Sequence, residues 1–218
     1  REVSIGLGGP ATGVTRSERF DITAASEVMA ILSLSKSYAD LRERLGRIIV
    51  AESNSGSPVT AEDLGAAGSM ALLLREAMLP NLVQTLEGNP AFVHCGPFAN
   101  IAHGNSSIIA DELALSRSDY VVTEAGFGAE MGAEKALHIK SLASGISPSC
   151  IVLNVTVRSM KLHGGGVAGG GGSRPTKEEI ETENVEAVRS GAASNLRRHV
   201  KNLATTSIPV VVSINRFH

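Results

Sequence analysis

The chain has 218 residues, enough for one α/β domain or a core domain with a small appendage. With 43% hydrophobic and 19% charged residues it can bury a sizeable core, which excludes a disordered chain. A net charge of −2, no basic run, five Phe, two Tyr and no Trp exclude a nucleic-acid surface of clustered Lys/Arg and stacking rings, and no apolar stretch reaches the ~20 residues of a membrane span.

"REVSIGLGG" enters an apolar segment within three residues, with no initiator Met and no visible signal peptide. Ile22–Leu34 reads as a helix with Val28, Ile31 and Leu32 on one side. Arg47–Ala51, then "SNSGSP", then Val59 predicts a hairpin or edge strand. Thr60, with Asp63 three residues on, predicts a capped helix through Leu74. Residues 1–90 are thus expected to be a mainly helical segment with a short hairpin.

From residue 91 the pattern changes. Ala91–Cys95, Tyr120–Thr123, Cys150–Val157 and Pro209–Ile214 are short apolar runs without clean alternation, as in a parallel sheet covered on both faces. Helical patterns lie between them: Ser106–Leu115, Glu130–Leu142, and a segment opened by a Thr176/Glu179 capping box. Residues 91–218 therefore read as a parallel α/β core of βαβ units. Cys95 and Cys150 both sit in apolar runs, which fits buried free thiols in a reducing compartment. The chain stops at "IPVVVSINRFH", just past an apolar run. Both ends read as cuts through a longer chain.

In an open parallel sheet, ligands bind beyond the carboxyl ends of the strands. Here those ends carry "GPFANIAHGNSS", "TEAGFGAEMGAEK", "NVTVRSMKLHGGG" and "SINRFH". Glu124 ends the second run before Gly-rich backbone, an arrangement that holds Mg²⁺ beside a nucleotide phosphate or, alternatively, caps the next helix. Asn100 and His103 share a side if their loop turns helical; His103 could be a base, a hydrogen-bond donor or a satisfied structural residue. His94, Cys95 and His103 fit no familiar zinc spacing. Arg158 and Lys161 flank the third strand end, where cations suit phosphates or carboxylates, or form a solvated edge. Gly164, Gly166 and Gly169 match G-x-G-x-x-G only because any glycine tract does. No G-x-x-x-x-G-K-[ST] occurs, so the phosphate-cradling lysine of a P-loop is not in these residues.

Four segments, "RFDITAASEVMAIL", "PNLVQTLEGNPAFVHCGPFANIAHGNSS", "DYVVTEAGFGAEMGAEKALHIK" and "VTVRSMKLHGGG", closely resemble formate–tetrahydrofolate ligase, also called formyltetrahydrofolate synthetase. The resemblance runs over nearly the whole chain. It implies a fold like P-loop NTPases of the nitrogenase-iron-protein kind. It also implies ATP with Mg²⁺, a monovalent cation, and formate and tetrahydrofolate as substrates. Homo-oligomers and a cytoplasmic location, with the mitochondrion as the alternative, are further implications. The family's Walker A loop would precede Arg1 and a further domain would follow His218, so this central piece is expected to be inactive alone. The resemblance assigns Asn100 and His103 to the substrate cleft and Glu124 to the Mg²⁺ neighbourhood. It places Arg158, Lys161, Gly164 and Gly165 on the nucleotide side, and makes Phe217 an aromatic wall for the folate pterin. The competing reading is a ligase-like scaffold or binding module that lacks the Walker A loop and has no ligase activity.

Overall fold

The computed structural model describes residues 2–6, 8, 13–19, 26–99, 102–165 and 176–216. They group into two compact units, residues 1–145 and 146–218. The architecture is α/β with small sheets, several helices and one parallel strand pair.

In the first unit, strands β1 (Glu2–Ile5) and β2 (Arg16–Arg19) pair antiparallel. Helices α1 (Glu27–Leu34) and α2 (Tyr38–Gly46) follow, capped by the hydroxyls of Ser26 and Ser37. Each serine oxygen accepts a backbone N–H that the first helical turn leaves without a partner. Leu32, Leu41, Leu45 and Met78 form the core, with Val28, Ile31, Met70, Leu74 and Ile109 packed on it. The expected inward face of α1 is therefore the observed one; residues 22–25 lie outside the described residues.

Strands β3 (Ile49–Glu52) and β4 (Pro58–Thr60) form the expected hairpin around Gly56, whose φ is +81°. Thr60 and Asp63 do exchange hydrogen bonds, Asp63 accepting from the Thr60 N–H at 2.8 Å and returning its own N–H at 3.2 Å. The helix does not continue from there. Gly65 takes φ +68°, and helix α3 starts afresh as Ala67–Leu73.

The run Ala91–Cys95 is a strand only in part, and it is not parallel. Strand β6 (Pro90–Val93) pairs antiparallel with β5 (Asn81–Gln84). The turn explains this. Thr85 and Asn89 are joined N–H to C=O at 2.9 Å, and Gly88 supplies φ +86°, so the two strands close locally as a hairpin. Tyr120–Thr123 joins no strand ladder among the described residues, and Tyr120 and Val122 are 91% and 96% exposed. Branched residues favour an extended backbone, but a strand also needs a neighbour's N–H and C=O groups.

Helix α4 (Ile108–Leu115) is capped by Ser107. The predicted helix 130–142 forms as two wide turns with i→i+5 bonding, Ala129–Ala133 and Ala136–Ser141, before the short α5 (Leu142–Ser144). Such π turns are uncommon in helices and recur at functional sites.

The second unit contains the parallel pair. Strand β7 (Ile151–Thr156) runs beside β8 (Val210–Asn215), Ile151 opposite Val210 and Thr156 opposite Asn215. Helices α6 (Val157–His163), α7 (Lys177–Glu181), α8 (Val185–Gly191) and α9 (Arg197–Ala204) lie between them in the chain. The predicted Thr176/Glu179 capping box is present in full. Helices α6 and α8 cross at glycines: a Cβ on Gly164 would meet the Ala187 carbonyl oxygen at 1.7 Å, and one on Gly191 the Met160 oxygen at 1.8 Å.

Candidate functional site

In the first unit the two loops that follow β6 and the 120–123 segment are stitched together. Gly126 donates its N–H to the Gly104 carbonyl at 3.2 Å. The Asn105 amide nitrogen donates to the Glu124 carbonyl at 2.7 Å. The Lys135 ammonium donates to the Ala99 carbonyl. Where the loops meet, a Cβ on Gly126 would lie 3.0 Å from the Gly104 oxygen, and each loop is also tightly packed on itself at a glycine. Gly104 sits at φ +68°, where a Cβ would lie 2.3 Å from the Ala99 Cβ. At Gly132 a Cβ would lie 1.7 Å from the Gly126 oxygen.

His94 and His103, nine residues apart, have different surroundings. The His94 Nε2 reaches the Ala77 carbonyl at 2.7 Å, so it carries a proton. Its Nδ1 meets the Ser107 hydroxyl at 2.5 Å, and that same oxygen accepts the Ala110 N–H at 3.0 Å. His94 is thereby a strut between the core and the start of α4. Cys95, at φ +59°, turns the chain, and burial pushes its thiol up to about 12, away from thiolate chemistry.

His103 is fully buried, and neither ring nitrogen has a hydrogen-bond partner among the described residues. Burial, then the positive charges of Lys140 and Lys135, push its pKa down to about 4. The imidazole is neutral at pH 7. Lys140 is itself buried and forms a 2.5 Å ion pair with Asp111 of α4. This suits an uncharged ring that offers one donor and one acceptor in a positive field.

Because the folded-state pKa lies below the ordinary value of 6.5, the unfolded chain binds this proton more readily. The stability conferred by the neutral ring is complete above pH 6.5 and is lost as pH falls from 6.5 towards 4. The slope is at most about 1.4 kcal/mol per pH unit. Denaturant midpoints across this range should fall less steeply for His103→Gln than for the parent; parallel curves would show that the ring is solvated.

Glu124 is exposed, and its backbone carbonyl is the one Asn105 holds. No group of three or more His, Cys, Asp or Glu residues placed to hold a metal occurs among the described residues. A single carboxylate next to Gly-rich backbone still fits Mg²⁺, which takes one or two protein carboxylates and fills its shell with water and phosphate oxygens.

In the second unit Thr156 caps α6, accepting the Ser159 N–H at 2.9 Å. Arg158 lies exposed in the first turn of α6 and lines a cavity of about 520 Å³ with Val157, Ile180, Asn184 and Val188. Lys161, at the wall of the same cavity, is 4% exposed. Its ammonium donates to the Thr182 carbonyl at 2.6 Å and to the Ile180 carbonyl, capping the C-terminal end of α7. Gly164 is occupied in the α6–α8 crossing, and at Gly165, φ +78°, a Cβ would meet no atom of the described residues within 4 Å. Asn100 and Phe217 lie outside the described residues.

A family model for formate–tetrahydrofolate ligase matches residues 1–218, the whole chain. The chain belongs to the formate–tetrahydrofolate ligase family. It is 53% identical over 219 residues to the formate–tetrahydrofolate ligase of Desulforamulus reducens, covering all of this chain and 38% of that protein. Over 217 residues it is 55% identical to the formate–tetrahydrofolate ligases of Paracoccus denitrificans and Roseiflexus, covering 37% and 38% of them. The chain thus spans under two fifths of the length of the ligases it matches.

The sequence shows Asn105 among the polar groups of its loop but assigns no role to it, nor to Asp111, Lys135 or Lys140. Their signal is thin. Lys135 and Lys140 look like solvent-facing residues of an ordinary helix, and only Ile139 and Leu142 around Lys140 hint at an apolar setting. No described helix is long and apolar enough to cross a membrane.

Proposed function

We propose that a full-length ligase carrying this chain joins formate to tetrahydrofolate with consumption of ATP, giving 10-formyltetrahydrofolate, ADP and phosphate. The family match along all 218 residues carries this reading. We place residues 1–90 and 91–218, as a mainly helical segment and an α/β core, within one longer chain. The parallel β7–β8 pair with helices between its strands supports a P-loop NTPase-like core of the nitrogenase-iron-protein kind. A homo-oligomer in the cytoplasm belongs to the same proposal, as does a monovalent cation.

Two transfers make up the reaction. A formate oxygen attacks the γ-phosphorus of ATP and the bond to the β–γ bridging oxygen breaks, giving formyl phosphate and ADP. The tetrahydrofolate N10 then attacks the formyl carbon, phosphate leaves, and the nitrogen loses a proton. Most of the protein's contribution to such transfers is positioning and charge stabilisation.

The residues divide that work. Glu124 would hold Mg²⁺, which when bound offsets charge on the phosphate oxygens. His103 is assigned to the substrate side as a buried, uncharged ring, with Lys135 and Lys140 supplying the positive field around it. Asn100 contributes an amide to the same cleft. Arg158 and Lys161 serve the nucleotide side, with Gly164 and Gly165 allowing close backbone approach there. Lys161 does so as a fixed charge, since its hydrogens are committed to α7 carbonyls. Phe217 provides a wall against the pterin.

Glu124→Gln in the full-length ligase tests the reading. The change removes a charge from an exposed side chain and keeps its shape. Turnover at low Mg²⁺ is expected to fall at least tenfold, roughly the loss of one charged ligand contact of ~1.4 kcal/mol or more, with the melting temperature nearly constant. Unchanged turnover at every Mg²⁺ concentration removes Glu124 from the site.

A further inference from the structure

We propose that Asn105 is a positioning residue for Glu124: its side-chain amide fixes the backbone that presents the Glu124 carboxylate. The inference rests on the reading of Glu124 as the Mg²⁺-holding group.

The Asn105 side chain is buried, 6% exposed, and spans two loops 19 residues apart in sequence. Its orientation is determined by chemistry. The Glu124 carbonyl can only accept, so the group 2.7 Å from it is the Nδ2–H₂ end. That leaves Oδ1 buried with no partner among the described residues. A half-satisfied buried amide costs free energy that a small apolar residue would not. The bond to Glu124 is what the amide gives in return.

The surroundings make that bond a locator. Glu124 directly follows Tyr120–Thr123, and neither that segment nor Glu124 joins a strand ladder among the described residues. The nearest backbone cross-link is Gly126 to Gly104 at 3.2 Å, beside Asn105 on the other loop. Asn105 and this glycine pair therefore set where the 124 backbone stands relative to His103, which is two residues from Asn105. Without the amide, Glu124 keeps its carboxylate but loses its anchor.

The test uses the full-length ligase with MgATP, formate and tetrahydrofolate, and follows turnover against Mg²⁺. Asn105→Asp keeps the shape and removes the donor; Asn105→Ala removes both. Both variants are expected to raise the Mg²⁺ concentration for half-maximal rate about three- to tenfold, the scale of one lost hydrogen bond. The rate at saturating Mg²⁺ should fall by much less. In a Glu124→Gln background, Asn105→Asp should add no further shift, because the group it positions is already gone. Melting temperatures separate this from a folding defect. A lowered melting temperature with unchanged Mg²⁺ dependence overturns the inference, as does an additive shift in the double variant. If Glu124→Gln itself leaves the Mg²⁺ dependence unchanged, the reading of Glu124 fails first and the role of Asn105 falls with it.

Discussion

Gly132→Ala is expected to be among the most damaging single-methyl changes in the first unit. The new Cβ would stand 1.7 Å from the Gly126 oxygen and 2.9 Å from the Ala125 carbonyl carbon. All of these are backbone atoms, so no side chain can rotate away. Overpacking of this kind costs about 1–3 kcal/mol when the neighbours can shift, and more when they cannot. We expect a loss of about 3 kcal/mol or more in denaturant unfolding. Gly68→Ala is the matched control. It lies inside α3, where a Cβ meets no atom within 4 Å. Alanine there should stabilise by up to about 1 kcal/mol, because it lowers the entropy lost on forming the helix. Two variants that behaved alike would contradict the close packing of Gly132 on the Ala125–Gly126 backbone.

Lys140→Met is expected to cost about 3–5 kcal/mol, because it leaves the Asp111 carboxylate largely buried and without its cation. At roughly 2–4 °C per kcal/mol for a protein of this size, the melting temperature should fall by about 6–20 °C. The double variant Lys140→Met/Asp111→Leu should recover most of the loss, since an apolar pair of similar volume escapes the desolvation penalty. His103 gives a second readout. Without the Lys140 charge its pKa should rise from about 4, visible in the imidazole resonances on titration. A change in melting temperature below about 2 °C would mean that the ion pair is effectively solvated.

Local signals were legible in the sequence. The Thr176/Glu179 box, the β3–β4 hairpin and the inward face of α1 each depend on residues within about one turn of each other. Pairing was less legible. Ala91–Val93 is extended as its composition predicts, yet its partner was decided by the Glu87-Gly88-Asn89 turn, a signal passed over in favour of the apolar run. Tyr120–Thr123 shows the same limit from the other side, an apolar run with no ladder among the described residues. The site was legible as loops but not as contacts. His103 stood out because histidine is chemically conspicuous, whereas Asn105 and Asp111 acquire meaning only from atoms 19 and 29 residues away.

The widened turns after Gly128 carry a consequence for the two lysines that act on His103. In a regular α-helix, positions 135 and 140 would point roughly 140° apart, since five residues overshoot one 3.6-residue turn. With i→i+5 bonding, residues five apart stack nearly one above the other. Ala136–Ser141 winds this way, with Lys135 immediately before it. The extra residue per turn therefore works as an angular correction that turns two cations, otherwise destined for different sides, toward one imidazole. Removing a single residue from 136–139 would bring the lysines four apart, and ordinary winding would then keep them within about 40° of each other on one face, so the widened turn and the five-residue spacing belong together.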